Sequence, residues 1–288
     1  MIGGDFLEFK KNLEERIKTQ AELLFKEKAE EVYVSAKNFL DSDGESFVKY
    51  LFDSAKKYDE LLASLNRVDN FGDELKQGFD HGIIALNGTS GVGQSFVMKF
   101  IKEELKNKGV SFDRIYLLAT RSPRSNEGDR DPYIFVNKND NSYECIFSGK
   151  RFAIDDVYLE YESRPGAFNA ILMSDLEKSK NNLMYLETVI PTLLKMKNES
   201  FNGFDALGDD LRIAYLAADS GKEWLYRLVA REPDKISDES FRNKLIGRVD
   251  SSLKDMYVAS KEQIPSVVHV LDNGHITAKK VLTAWNIL

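Results

Sequence analysis

The feature that most constrains this chain is the run Asn87-Gly88-Thr89-Ser90-Gly91-Val92-Gly93-Gln94-Ser95. A short apolar run, Ile83-Ile84-Ala85-Leu86, precedes it, and the amphipathic stretch Phe96 to Lys106 follows. An apolar strand, a glycine-rich turn and a helix in that order leave few folds open. Glycines are needed where a backbone takes positive φ or approaches a ligand closely. The run nearly fits the phosphate-loop pattern GxxxxGK[ST]. Gly88 and Gly93 hold the glycine places, and Ser95 holds the hydroxyl place, the position that would ligate Mg²⁺. Such a loop turns backbone N–H groups, here those around Ser90, Gly91 and Gly93, toward one concavity at a helix N-terminus. Gln94 stands where the pattern has lysine. Glutamine has similar reach and can donate a hydrogen bond, but it carries no charge. The alternative is a coincidental glycine turn.

The 288 residues suffice for one large domain or two small ones. No apolar run approaches the roughly 18–20 residues of a membrane span, and MIGGDFLEFKKNLEER has no signal-peptide core. The single cysteine, Cys145, excludes an internal disulfide framework and a Cys-rich zinc site, and three histidines leave little material for a His-rich metal site. A net charge of −7 argues against broad nucleic-acid binding. It leaves room for a small anionic ligand in a locally positive pocket. These features fit a cytoplasmic protein.

Residues 1–80 read as helical. Phe6, Phe9, Leu13, Ile17, Ala21 and Leu24 recur at three- and four-residue steps, and the pattern continues to Phe39. The turn-forming cluster Asp41-Ser42-Asp43-Gly44 ends it, and Ser46 opens a second helix. The reading is an N-terminal helical hairpin, packed on the rest of the chain or serving a homo-oligomer or protein partner. From Gly82 onward short apolar runs alternate with helical patterns. Strands are expected near 83–86, 115–118, 183–186, 212–216 and 267–271. Helices are expected over 96–106, 222–230, 237–255 and 277–285. This is the pattern of an α/β domain, 81–288, with a parallel sheet flanked by helices.

The segment Thr120-Arg121-Ser122-Pro123-Arg124-Ser125-Asn126-Glu127, followed by Tyr133-Ile134-Phe135-Val136, resembles the guanylate kinase signature TR-x-PR-x-x-E…Y-x-F-V. Two guanidinium forks and a phenol can clamp a dianionic phosphate. The resemblance implies that role, toward a nucleoside monophosphate, for Arg121, Arg124 and Tyr133; solvated loop arginines are the alternative. Trp224 to Arg231 resembles the family's L-x-x-RL-x-x-R, which puts Arg227 and Arg231 on the ATP side. Asp238 to Leu245 resembles E-S-I-x-x-RL, with Lys244 at the catalytic arginine's place. Val270-Leu271-Asp272-Asn273 resembles the strand end that meets adenine, at Asp272 or Asn273. Glu187 falls near the family's strand-end acid. These matches run in order over some two-thirds of the chain. They imply a P-loop fold of the guanylate kinase kind, with ATP and Mg²⁺ as cofactors.

The departures are equally specific. Leu117 stands where the family has a serine that contacts guanine. Phe152-Ala153-Ile154-Asp155-Asp156 and Arg164-Pro165-Gly166 match the family's lid segment only loosely. Asp155 or Asp156 holds the guanine-binding place, or the segment is a plain surface loop. Lys244 keeps charge but loses the planar fork of arginine. Two functions follow from this pattern: a divergent nucleotide kinase slowed by Gln94, or a non-catalytic module of the same fold.

Overall fold

The computed structural model describes residues 4–288 apart from 77–78, 124–126, 131–132, 165 and 270–272; the side chains of 163 and 164 are also outside the description. The N-terminal stretch folds as three helices, α1 (Gly4–Phe25), α2 (Ala29–Asp41) and α3 (Glu45–Ala63), where the periodicity predicts two. Lys26 takes a left-handed φ of 45° in the short turn Lys26–Lys28, which breaks the long pattern. The chain reverses there, so α1 and α2 lie antiparallel. Lys10 reaches Asp41 at 2.7 Å and Lys37 reaches Glu14 at 3.3 Å across the pair. Phe6, Phe9, Leu13, Ile17 and Ala21 are buried as the spacing predicts. Leu24 is 53% exposed, because α1 ends at Phe25 and its face goes no further.

The remaining strands are β1 (Asn66–Arg67), β2 (Gly82–Gly88), β3 (Asp113–Arg114), β4 (Leu118–Ala119), β5 (Ile134–Lys138), β6 (Ser142–Cys145), β7 (Arg151–Ala153), β8 (Val157–Arg164), β9 (Ala167–Leu172), β10 (Leu183–Leu186), β11 (Leu211–Ala217) and β12 (Pro265–Val268). The helices are α4 (Gln94–Asn107), α5 (Met173–Ser179), α6 (Ile190–Asn198), α7 (Gly221–Ala230), α8 (Glu239–Lys261) and α9 (Gly274–Ala284). A six-stranded parallel sheet runs in the order β1-β12-β11-β2-β10-β3. Its strands β2, β10 and β11 are almost wholly buried, as strands covered by helices on both faces must be. The fold is mixed α/β, a parallel sheet flanked by helices with a helical segment before it.

The sequence reading does not anticipate the second sheet, β7-β6-β5-β4-β9-β8. It is antiparallel except for the β4–β5 pair. Its core includes Leu118, Val136, Tyr143, Phe152 and Leu172. The single strand expected over 115–118 is divided between the sheets. Asp113 and Arg114 pair with β10, whereas Leu118 and Ala119 pair with β5 and β9.

One compact unit gathers Met1–Asp69, Gly88–Met98 and Tyr215–Ala278; the other gathers Asn70–Asn87, Lys99–Ala214 and Lys279–Leu288. The N-terminal helices therefore share a unit with the glycine-rich loop and with α7 and α8. Phe9 meets Tyr226 of α7 at 5.1 Å between ring centroids, and Tyr58 stacks on Trp224 at 4.7 Å. Among the described residues no helix is long and apolar enough to cross a membrane.

Candidate functional site

The loop begins where β2 ends. A Cβ on Gly88 would lie 2.4 Å from the Leu216 carbonyl oxygen, so no side chain fits there. The Val92 amide donates to the Thr89 carbonyl at 3.1 Å, closing a tight turn. Gly91 and Gly93 complete the turn with φ of +80° and +97°, values that strain any residue with a side chain. Two neighbours fix the turn from outside. The Ser90 amide donates to Ser252 Oγ at 3.0 Å, and the Ser90 carbonyl accepts from Trp224 Nε1 at 2.9 Å. The amides of Gly91 and Gly93 donate no hydrogen bond to any described residue.

Beside these glycines lies a cavity of about 400 Å³. Gly91, Gly93, Gln94 and Ser95 line it from the loop and the start of α4, Arg227 lines it from α7, and Arg231 lines it from the residue that caps the end of α7. The two arginines are one turn apart on one helical face, so both reach the same opening. Arg227 Nη1 and Nη2 are buried with no hydrogen-bond partner among the described residues. Its nearest carboxylates, Asp219 and Glu223, stand off at 3.8 and 4.0 Å. A buried guanidinium left unbonded is costly unless an anion completes it. Beside the loop lies His269, 2% exposed, its Nδ1 3.2 Å from Thr277 Oγ1. Burial holds its pKa below the ordinary value, and the Arg227 charge adds to that effect.

Four residues expected on the ATP side, Gly88, Ser90, Asn273 and Lys244, do not line this cavity. Ser90 has its backbone committed to Ser252 and Trp224. Asn273 caps α9, its Oδ1 accepting from the Ile276 amide at 3.0 Å. Lys244 is exposed on α8, two turns or about 12 Å along the helix from Ser252. The chemistry of the donors suits polyphosphate: two guanidiniums, open amides at a helix start and the Ser95 hydroxyl. No group of three or more His, Cys, Asp or Glu among the described residues could cage a metal. Ser95, the residue expected to meet Mg²⁺, lines the cavity.

The second cluster belongs to the other unit. Arg121 donates from Nη1 and Nη2 to the two Glu127 oxygens at 2.7 and 2.6 Å. Its guanidinium also stacks over the rings of Tyr133, at 5.2 Å, and Phe135, at 4.8 Å. The structure thus brings Arg121 and Tyr133 together. Arg124 lies outside the described residues, as do Asp272 and Pro165. Glu187, just past the end of β10, is paired with Arg114 at 2.9 Å. Burial raises the Tyr133 pKa, and Glu187 raises it further, so the phenol stays protonated. Leu117 is buried and offers the site no polar atom. Asp155 and Asp156 sit in a short turn between β7 and β8, where Asp156 Oδ2 accepts from the Ala153 amide.

Sequence reasoning overlooks Arg114, Asp219 and His269, which are single residues without a motif around them, and gives Trp224 no role of its own. A larger cavity, about 770 Å³ and bordered by Arg114, Tyr116 and Arg130, lies in the same unit as Arg121. Its lining mixes both signs of charge and includes neither the loop nor Arg121 and Tyr133.

No protein-family model matches the chain, and no curated protein is significantly similar to it. Among solved structures, a guanylate kinase from Anaplasma phagocytophilum aligns with a TM-score of 0.43 and 13% identity. The alignment covers 74% of this chain and 87% of that one. At that distance the likeness assigns no residue its role.

Proposed function

We propose that this chain is a cytoplasmic, guanylate-kinase-like nucleotide phosphotransferase, binding ATP and Mg²⁺ and acting on a nucleoside monophosphate or a related phosphorylated acceptor. One observation carries the reading: Gly91, Gly93, Gln94, Ser95, Arg227 and Arg231 share one cavity. ATP supplies the γ-phosphoryl group. The Gly91 and Gly93 amides orient phosphate oxygens, and Arg227 and Arg231 neutralise their charge. Ser95 is the protein ligand for Mg²⁺. Gln94 donates a neutral hydrogen bond in place of a lysine charge. Arg121 and Tyr133 hold the acceptor phosphate, since a guanidinium has five N–H donors and Glu127 and the Ser122 carbonyl take three. The buried Leu117 leaves the acceptor base unspecified.

Lost preorganised donors typically cost about 3–4 kcal/mol of barrier, so native turnover is slow. A screen of nucleoside monophosphates with ATP and Mg²⁺, run beside Gln94→Lys, tests this. The variant should turn over roughly 100-fold faster or more. No transfer by either protein, for any acceptor, would overturn the catalytic reading. A second reading, a non-catalytic module holding a nucleotide, a phosphopeptide or a protein partner, is favoured by the exposed place of Lys244, off the cavity.

A further inference from the structure

Arg227 has a carboxylate in the best place to capture it. Glu223 lies four residues earlier on α7, and Glu before Arg at that spacing is the favoured order for an ion pair. The pair does not close: Arg227 Nε stays 4.0 Å from Glu223 Oε2. Both Glu223 oxygens instead accept from Nη2 of Arg16, at 2.8 and 3.0 Å. Arg16 belongs to α1, far away in sequence.

We infer that Arg16 is a positioning residue for the nucleotide site: by holding Glu223 it keeps that carboxylate from hydrogen-bonding the Arg227 guanidinium, which Asp219, at 3.8 Å, does not hydrogen-bond either. The inference rests on the nucleotide reading above. Magnitudes favour it over a stabilising role. Arg16 is 55% exposed, and an exposed ion pair contributes little to stability. Packing, not this pair, fixes α1 on α7: the Phe9 ring lies against Tyr226, and Tyr226 Oη donates to the Phe9 carbonyl at 3.3 Å. Removing the Arg16 side chain should therefore leave the helix in place and release Glu223 toward Arg227. The N-terminal helices then do more than bury the back of α7. They set which charges on α7 face the cavity.

A double-mutant cycle on the full chain tests this, with MgATP titrated by calorimetry and melting followed in parallel. Arg16→Ala should weaken MgATP about three-fold, the scale of one exposed charge pair, with an unchanged melting midpoint. Arg16→Lys should retain native affinity, since one donor serves both oxygens. Glu223→Gln should bind at least as tightly as native. In the Glu223→Gln background, Arg16→Ala should have no further effect. An unchanged affinity in Arg16→Ala would overturn the inference. So would the same three-fold loss in both backgrounds, which would mean that Arg16 acts only through its own field. Failure of the native chain to bind MgATP would overturn the nucleotide reading, and this inference with it. Binding with an additive cycle would overturn the inference alone.

Discussion

Trp224 Nε1 donates to the Ser90 carbonyl at 2.9 Å and so joins the arginine-bearing helix α7 to the glycine-rich loop. The indole is buried, 1% exposed, and stacked on Tyr58. The bond ties the helix that carries Arg227 to the loop that shares its cavity.

Trp224→Phe keeps an aromatic ring but removes the donor and part of the volume. The Ser90 carbonyl would lose its buried partner, and a cavity would form. Stability should fall by about 2–3 kcal/mol. Urea denaturation measures this, and MgATP affinity should fall in the same variant.

Gly93→Ala places a methyl on a backbone with φ of +97°, 3.4 Å from His269 Nε2. The left-handed strain alone costs about 1–2 kcal/mol, and the His269 ring has little room to yield. Nucleotide binding should be lost before the fold is, because the loop can relax by opening its turn. Calorimetric titration beside a melting curve separates the two effects.

Arg121 and Glu127 are 13% and 8% exposed, so their charges are largely out of water. Arg121→Ala leaves the buried carboxylate without its bidentate partner. The expected loss is about 3 kcal/mol, by chemical denaturation. Glu127→Gln should cost less and should raise affinity for a monophosphate, because it returns Arg121 donors to the site.

Asp255 on α8 gives a pH signature. Burial lifts its pKa from 3.8 to about 6, and the Lys254 charge offsets part of that shift. The folded chain therefore binds more protons than the unfolded chain between those values, and stability from this group falls as pH rises through about 4 to 6. Asp255→Asn should stabilise the protein at pH 8 by about 2 kcal/mol, after discounting for partial exposure, and have no effect near pH 3.5. Denaturation at both values checks the difference.

The loop was legible in the sequence because single residues meet strict backbone demands there. Gly88 has no room for a side chain, and Gly93 needs a positive φ. Arg227 and Arg231 were legible only through the resemblance of Trp224 to Arg231 to a family motif. The second sheet was not, since β4 and β7 are too short to show alternation. Nor was the reversal at Lys26, because a lysine carries no turn signal of its own. The Arg16–Glu223 pair spans 207 positions, and no local pattern can reveal it. Lys244 and Asn273 matched short motifs, and neither is among the residues that line the cavity.

The central claim is that the loop and α7 together hold a polyphosphate, with arginine supplying the charge that Gln94 lacks. Calorimetric titration of MgATP into the native chain and into Arg227→Ala tests it most directly. A hydrogen-bonded charge contributes roughly 1.5–3 kcal/mol, so Arg227→Ala should bind about 10- to 100-fold more weakly than native at unchanged fold. Equal affinity in the two proteins, or no heat of binding in the native chain, would contradict the account.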